Sequence, residues 1–172
     1  MGGVTAAFES DWGTPTVTPD EPMVLCDTAV ATPPGTMANL RFRRPDSDGT
    51  ESSILVDILV AGSDADAAGW LQELGANLGA CRDYDLPDIG AEGVMQAGQS
   101  TFVGREGIRW STEVVSTTPG ARFWEGFITT SGPLLVQVMT EVRTVFDASV
   151  VNLADPVALL EQVVPAVFAS VE

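Results

Sequence analysis

The chain alternates between stretches of period two and stretches of period 3.6, and this switching gives the first outline of the fold. Residues 1–22 are rich in Pro, Thr, Asp and Glu, with Phe8 and Trp12 as the only aromatic residues. They read as an extended lead-in, with Trp12 placed to pack on the body. Ala31-Thr32-Pro33-Pro34-Gly35 is a loop. Met37 to Arg43 is the first clear strand. Pro45-Asp46-Ser47-Asp48-Gly49-Thr50 is a polar turn, and Ser53 to Ala61 is a second strand. That strand is apolar on both faces apart from Asp57, the mark of a central strand covered by helices. Together the two predict an antiparallel hairpin.

At Gly62-Ser63 the period changes. Ala67, Trp70, Leu71, Leu74 and Leu78 form a helical stripe, so a helix is predicted from Asp64 to Ala80. Ser63 is its expected N-cap, and Asp64 and Asp66 suit the positive end of its dipole. Gly69, Gly75 and Gly79 weaken it and are expected to allow close packing on the sheet. Arg82 to Gly93 reads as a polar connection. Extended segments follow at Val94–Val103, Ile108–Thr117, Ala121–Thr130 and Leu134–Val142, separated at Pro119-Gly120 and Ser131-Gly132 by short turns. Such spacing predicts an antiparallel meander. Asp155 and Pro156 open a final helix with Val157, Leu160, Val164, Val167, Phe168 and Val171 on its apolar face. Pro165 is expected to kink or split that helix. Residues 143–154 fit neither period. The fold class is therefore α+β: an antiparallel meander flanked by two main helices, as one domain (residues 23–172) behind the lead of residues 1–22.

Charge and composition narrow the chemistry. The 172 residues carry 24 acidic and 8 basic groups, a net charge of −16; the basic groups are all Arg, with no His and no Lys. That removes Ser-His-Asp and Cys-His catalysis, imidazole metal ligands, Schiff bases and the Walker-type lysine. It also disfavours nucleic acid and anionic lipid as partners. No apolar run approaches the ~18 residues that span a membrane, and no secretory leader is visible at Met1-Gly2-Gly3. No cofactor and no bound metal are expected.

Two cysteines, Cys26 and Cys81, stand too far apart for a CxxC motif. Cys26 closes the apolar run Met23-Val24-Leu25, and Cys81 continues the stripe of Leu74 and Leu78, so both look inward. A disulfide and two buried free thiols are the open readings. A bridge implies an oxidising compartment and an export signal lying outside this sequence.

An N-terminal Trp upstream of Cys26-Asp27, a hairpin, a helix Ser-Asp-Ala-Asp-Ala-Ala-Gly-Trp-Leu ending in Leu-Gly-Ala-Cys81-Arg-Asp, then Gly90-Ala91-Glu92-Gly93-Val94, a meander and a terminal helix follow in order. This order resembles the extracytoplasmic sensor-type domains of actinobacteria, which include the PknH-like sensor domain of membrane kinases and many small lipoproteins. The resemblance implies an antiparallel sheet flanked by helices, a Cys26–Cys81 disulfide, a ligand cleft and no catalytic residues. It departs from the kinase sensor in lacking the cysteines for a second disulfide, which weakens transfer of a kinase-sensing role.

Other constellations have plainer readings. Asp27-Thr28-Ala29 matches an aspartic-protease loop but has no second copy. Asp46, Asp48 and Glu51 around Gly49 could offer oxygens to calcium, although a hairpin turn selects the same residues. Arg82-Asp83-Tyr84-Asp85 reads as a surface loop. Arg41, Arg43 and Arg44 are expected to pair with surplus acids rather than with a phosphate or carboxylate ligand.

The expected function is an exported, non-catalytic sensor or ligand-binding domain of the cell envelope, from a lipoprotein. Its alternative is an envelope protein–protein interaction module without a small-molecule site. The candidate ligand site lies between the first helix and the sheet, walled by Trp70, Trp110 and Trp124. Arg109 and Arg122 are expected on the opposite faces of their strands, reaching its rim. Such a pocket suits an apolar or amphipathic molecule with an anionic head group.

Overall fold

A computed structural model describes residues 2–19, 24–25, 28–29, 36–45, 49–80, 83–86, 91–116, 121–144 and 154–171. Cys26, Cys81, Asp27, Asp46, Asp48 and Arg82 lie outside the described residues, as do residues 145–153 and therefore the expected disulfide.

The architecture is α+β. Helix α1 (Gly2–Trp12) is followed by β1 (Thr16–Pro19), the short pair β2 (Val24–Leu25) and β3 (Thr28–Ala29), and the long strands β4 (Thr36–Pro45) and β5 (Thr50–Val60). Next come α2 (Asp64–Ala80), β6 (Asp83–Leu86), β7 (Ala91–Phe102), β8 (Arg105–Ser116), β9 (Ala121–Ser131), β10 (Leu134–Thr144) and α3 (Pro156–Val171). Apart from β2 and β3, the strands form one eight-stranded sheet in the order β1-β4-β5-β10-β9-β8-β7-β6. Every pairing is antiparallel. The predicted hairpin and meander are both present, and they join where β10 pairs with β5 from Leu134↔Val60 to Thr144↔Thr50.

Three expectations are corrected. Residues 2–12 are helical rather than an extended lead, so three helices flank the sheet. Val4, Phe8 and Trp12 recur every four residues and all three are buried. That stripe gives α1 a face to bury against α3 and β4. The polar connection after α2 contains the edge strand β6, which pairs Asp83–Leu86 with Ala91–Val94. Pro165 does not split α3, which runs unbroken from Pro156 to Val171. Pro165 is exposed between the buried pairs Val163/Val164 and Val167/Phe168, so its ring faces solvent.

Helix ends follow the local chemistry. The Ser63 hydroxyl accepts from the Asp66 amide (3.2 Å) and donates to the Asp66 carboxylate (2.7 Å). Asp155 Oδ1 accepts from the amides of Val157 (2.9 Å) and Ala158 (3.4 Å), so α3 is capped as predicted. At the β7–β8 turn, Val103 adopts φ 46° and Gly104 φ 79°. This is the left-handed geometry that two-residue hairpins need, and a β-branched residue takes it at a cost in strain.

Strand alternation gives each sheet face its own core. On one face, α1 and α3 cover Leu40, Phe42, Ile54, Val56, Ile58, Phe102, Phe127, Val136 and Val138. On the other, α2 packs over Leu59, Met95, Ile108, Trp110, Ile128 and Leu135 through Leu74, with Trp70 and Leu71 beside it. Gly75 is the close-approach position: a methyl there would stand 2.9 Å from Ile108 Cδ1. Gly69 is exposed with nothing near it, so it plays no part in that packing. The side chains at Leu78 and Gly79 lie outside those described.

Candidate functional site

The three tryptophans do come together on the α2 side, but as core. Trp110 is 3% exposed, and Trp70 and Trp124 pack against the same cluster. The Trp110 indole lies over Gly126, its cross-strand partner, where any Cβ would collide with the ring. Gly126 is therefore part of how Trp110 is seated. The expected pocket between helix and sheet is corrected accordingly. Gly75 closes the interface against Ile108 instead of leaving a gap, and Gly69 points away.

The two arginines divide. Arg109 stands on the opposite face from Trp110, as alternation requires, with its guanidinium 5.2 Å from the Phe102 ring centroid. Arg122 does not: it is two residues from Trp124, and so shares that face. It lies in the register row of Arg143 on β10.

On the α3 side, beyond the helix N-terminus, the sheet is left open over β7, β8 and β9. A groove of about 420 Å³ runs there, lined by Gln96, Gly98, Ser100, Arg109, Ser111 and Glu125 among others. Gly98 pairs with Arg109, and nothing lies within 4 Å of where its Cβ would be, so bare main chain forms the middle of the floor. A smaller groove of about 200 Å³ shares Gln96, Ser111 and Glu125 and adds Val94, Glu113, Phe123 and Pro156.

At the junction of the two grooves Arg109 donates to Glu125 Oε2 from Nη2 (3.3 Å) and Nε (3.4 Å). The Arg109 side chain is 36% exposed and that of Glu125 only 13%. Burial pushes the Glu125 carboxyl above the ordinary carboxylate range. Arg109 pulls it back through its charge and its hydrogen bond, and Asp155 at the start of α3 adds to the rise. Thr140 on β10 donates to the Pro156 carbonyl (2.8 Å), which ties the helix start to the sheet beside this pair.

The bonds between Arg109 and Glu125 are long for a charged pair, and the pair sits where solvent reaches it. An incoming anion could exchange with Glu125 on the guanidinium. Ser100 and Ser111 have no imidazole or lysine amine to activate them, because the chain contains no His and no Lys. Among the described residues no three acidic or thiol groups are placed to hold a metal, and no helix is long and apolar enough to cross a membrane.

Arg41 meets the expectation of pairing with an acid, Glu141, at 2.9 Å. The Arg44 guanidinium lies 4.4 Å from the Trp12 ring centroid. The Tyr84 side chain is outside those described. Nothing among known protein families, curated proteins or solved structures matches this chain.

Proposed function

We propose that this chain is an exported, non-catalytic ligand-binding or sensor domain of the cell envelope, carried by a lipoprotein, and that its ligand occupies the grooves over β7–β9. The observation that carries the reading is the Arg109–Glu125 pair, mostly buried on its acidic side and open on its basic side, at the junction of two grooves. The larger groove offers amide, hydroxyl and main-chain groups; the smaller adds Val94, which is 50% exposed, and Phe123. This combination suits a small amphipathic molecule with a carboxylate or phosphate head on Arg109 and an apolar part along Val94 and Phe123. The interaction-module alternative has less support. Among the described residues the exposed large apolar side chains, Val17, Val60, Val94 and Val103, belong to separate strands or turns and form no common patch.

Thermal-shift and tryptophan-emission titrations with decanoate test the reading. Binding is expected to saturate, to be lost in Arg109→Ala, and to tighten several-fold in Glu125→Gln, which frees the guanidinium. Absence of a saturable response, or an unchanged response in Arg109→Ala, overturns it.

A further inference from the structure

The sheet ends at β1 on one side and at β6 on the other. Both end strands are guarded. β1 has four residues and is bracketed by Pro15 and Pro19. β6 has four residues and carries Asp83 and Asp85. Shortness, proline and charge are devices that keep a sheet edge from pairing with another chain. β6, however, covers β7 only over residues 91–94. Beyond it, residues 96–102 form an edge of their own. Among the described residues no strand pairs with their outer side, and Gln96, Gly98, Gln99 and Thr101 are exposed.

This edge has none of the guards. In a chain of net charge −16, residues 93–104 contain no charged residue and no proline. The register with β8 runs from Ala91↔Ser116 to Phe102↔Arg105 without a bulge. Val103 adds an independent sign. It takes φ 46° in the β7–β8 turn, where Asn or Gly would fit with less strain than a β-branched residue. Its side chain is 46% exposed, so little packing within the chain offsets that strain. Val94, 50% exposed, stands at the other end of the same edge.

We infer that the open edge of β7 is the seam of a homodimer, in which the β7 strands of two copies pair antiparallel about a two-fold axis near Gly98. Charge and the two valines choose the occupant. A partner attracted by the acidic chain would be basic and would need carboxylates at the seam, which residues 93–104 lack. A second copy needs the opposite, a stretch where two acidic chains meet with no like charges directly opposed. Antiparallel pairing also brings opposite ends together, so Val94 of one copy comes beside Phe102 and Val103 of the other. Nothing lies within 4 Å of a Cβ at Gly98, which leaves the centre of the seam clear. Such pairing is isologous and closes at two copies. A seven-residue seam spans about 24 Å. One strand wide, it falls short of a standard interface, and a dissociation constant on the order of tens of micromolar is expected.

Sedimentation velocity from about 1 μM to about 1 mM tests the seam with wild type, Gln99→Lys, Val103→Asn and Val17→Lys. Wild type is expected to show a monomer–dimer equilibrium that tightens several-fold with added salt, which screens the repulsion between acidic copies. Gln99→Lys reduces the net charge, so association through any other surface would hold or tighten. It is expected instead to weaken the dimer at least tenfold, because each lysine faces its own copy near the axis. Val103→Asn is expected to raise the melting temperature of the dilute monomer and to weaken the dimer several-fold; it carries the test if Gln99→Lys does not fold. Val17→Lys, on the β1 edge, is expected to change nothing. A chain that stays monomeric throughout overturns the inference. So does a dimer that weakens with salt, one that survives Gln99→Lys unchanged, or one that is lost in Val17→Lys.

Discussion

Glu125 shows how one residue can carry both a cost and a use. Its carboxyl is raised by burial more than Arg109 lowers it. A carboxyl whose folded pKa lies above its unfolded one binds its proton more tightly in the native state. Its contribution to stability is therefore fullest below the ordinary carboxylate range and is lost as pH rises through that range to the raised value. Glu125→Gln removes the dependence. Comparing the two proteins by denaturant unfolding from acid to neutral pH, the wild type is expected to lose stability relative to Glu125→Gln as pH rises. A constant difference across that range refutes the assignment. Alternation alone already set Arg109 and Glu125 opposite the tryptophans. It could not bring the two together, because that needs the β8–β9 register, in which Ser111 faces Glu125 and Arg109 faces Phe127. The groove also depends on Gly98, which in sequence is only an interruption in a strand.

At the scale of elements, legibility followed the strength of local signals. Helix α2 has a cap and an unbroken stripe, and its predicted span of Asp64 to Ala80 is the observed one. Helix α3 was equally readable from Asp155-Pro156. Helix α1 was missed because Val4, Phe8 and Trp12 are separated by small and polar residues, and its stability comes from docking on α3 and β4 rather than from propensity. Strand β6 was missed because Asp83-Tyr84-Asp85-Leu86 has no apolar alternation, and edge strands need little. The cap of α3 has a measurable share in the fold. Asp155→Ala is expected to cost about 1 kcal/mol in chemical unfolding, and Asp155→Asn much less, since Asn caps nearly as well. Equal losses in the two variants would mean that charge, not the cap bond, is what Asp155 supplies.

At the scale of the molecule, two faces share one sheet but not one character. The α1/α3 side is apolar and free of unpartnered buried polar atoms among the described residues, whereas the α2 side mixes tryptophans with polar side chains of β4, β5 and β10. The proposed compartment rests on Cys26 and Cys81, 55 positions apart in the chain. A bridge between them closes a long loop, worth about 4 kcal/mol by the chain-entropy model. Non-reducing mass spectrometry of the air-oxidised protein is expected to show one intramolecular disulfide, and reduction to lower the unfolding midpoint. Two free thiols would remove the case for export.

The docking of α1 on α3 also bears on the order in which the chain can acquire its structure. Gly3 lies so close to Ser170 that a methyl at Gly3 would stand 2.8 Å from the Ser170 carbonyl oxygen, and Phe8 meets Phe42 edge to face at 5.5 Å between ring centroids. Helix α1, made before the sheet, thus has its resting place on α3, made after it. Until residues 156–171 have emerged, the stripe of Val4, Phe8 and Trp12 has only part of its surface to cover it, and the β5–β10 pairing that carries α3 is itself long-range. Such distant partners favour completing the α1/α3 core late, once residues 156–171 have been made.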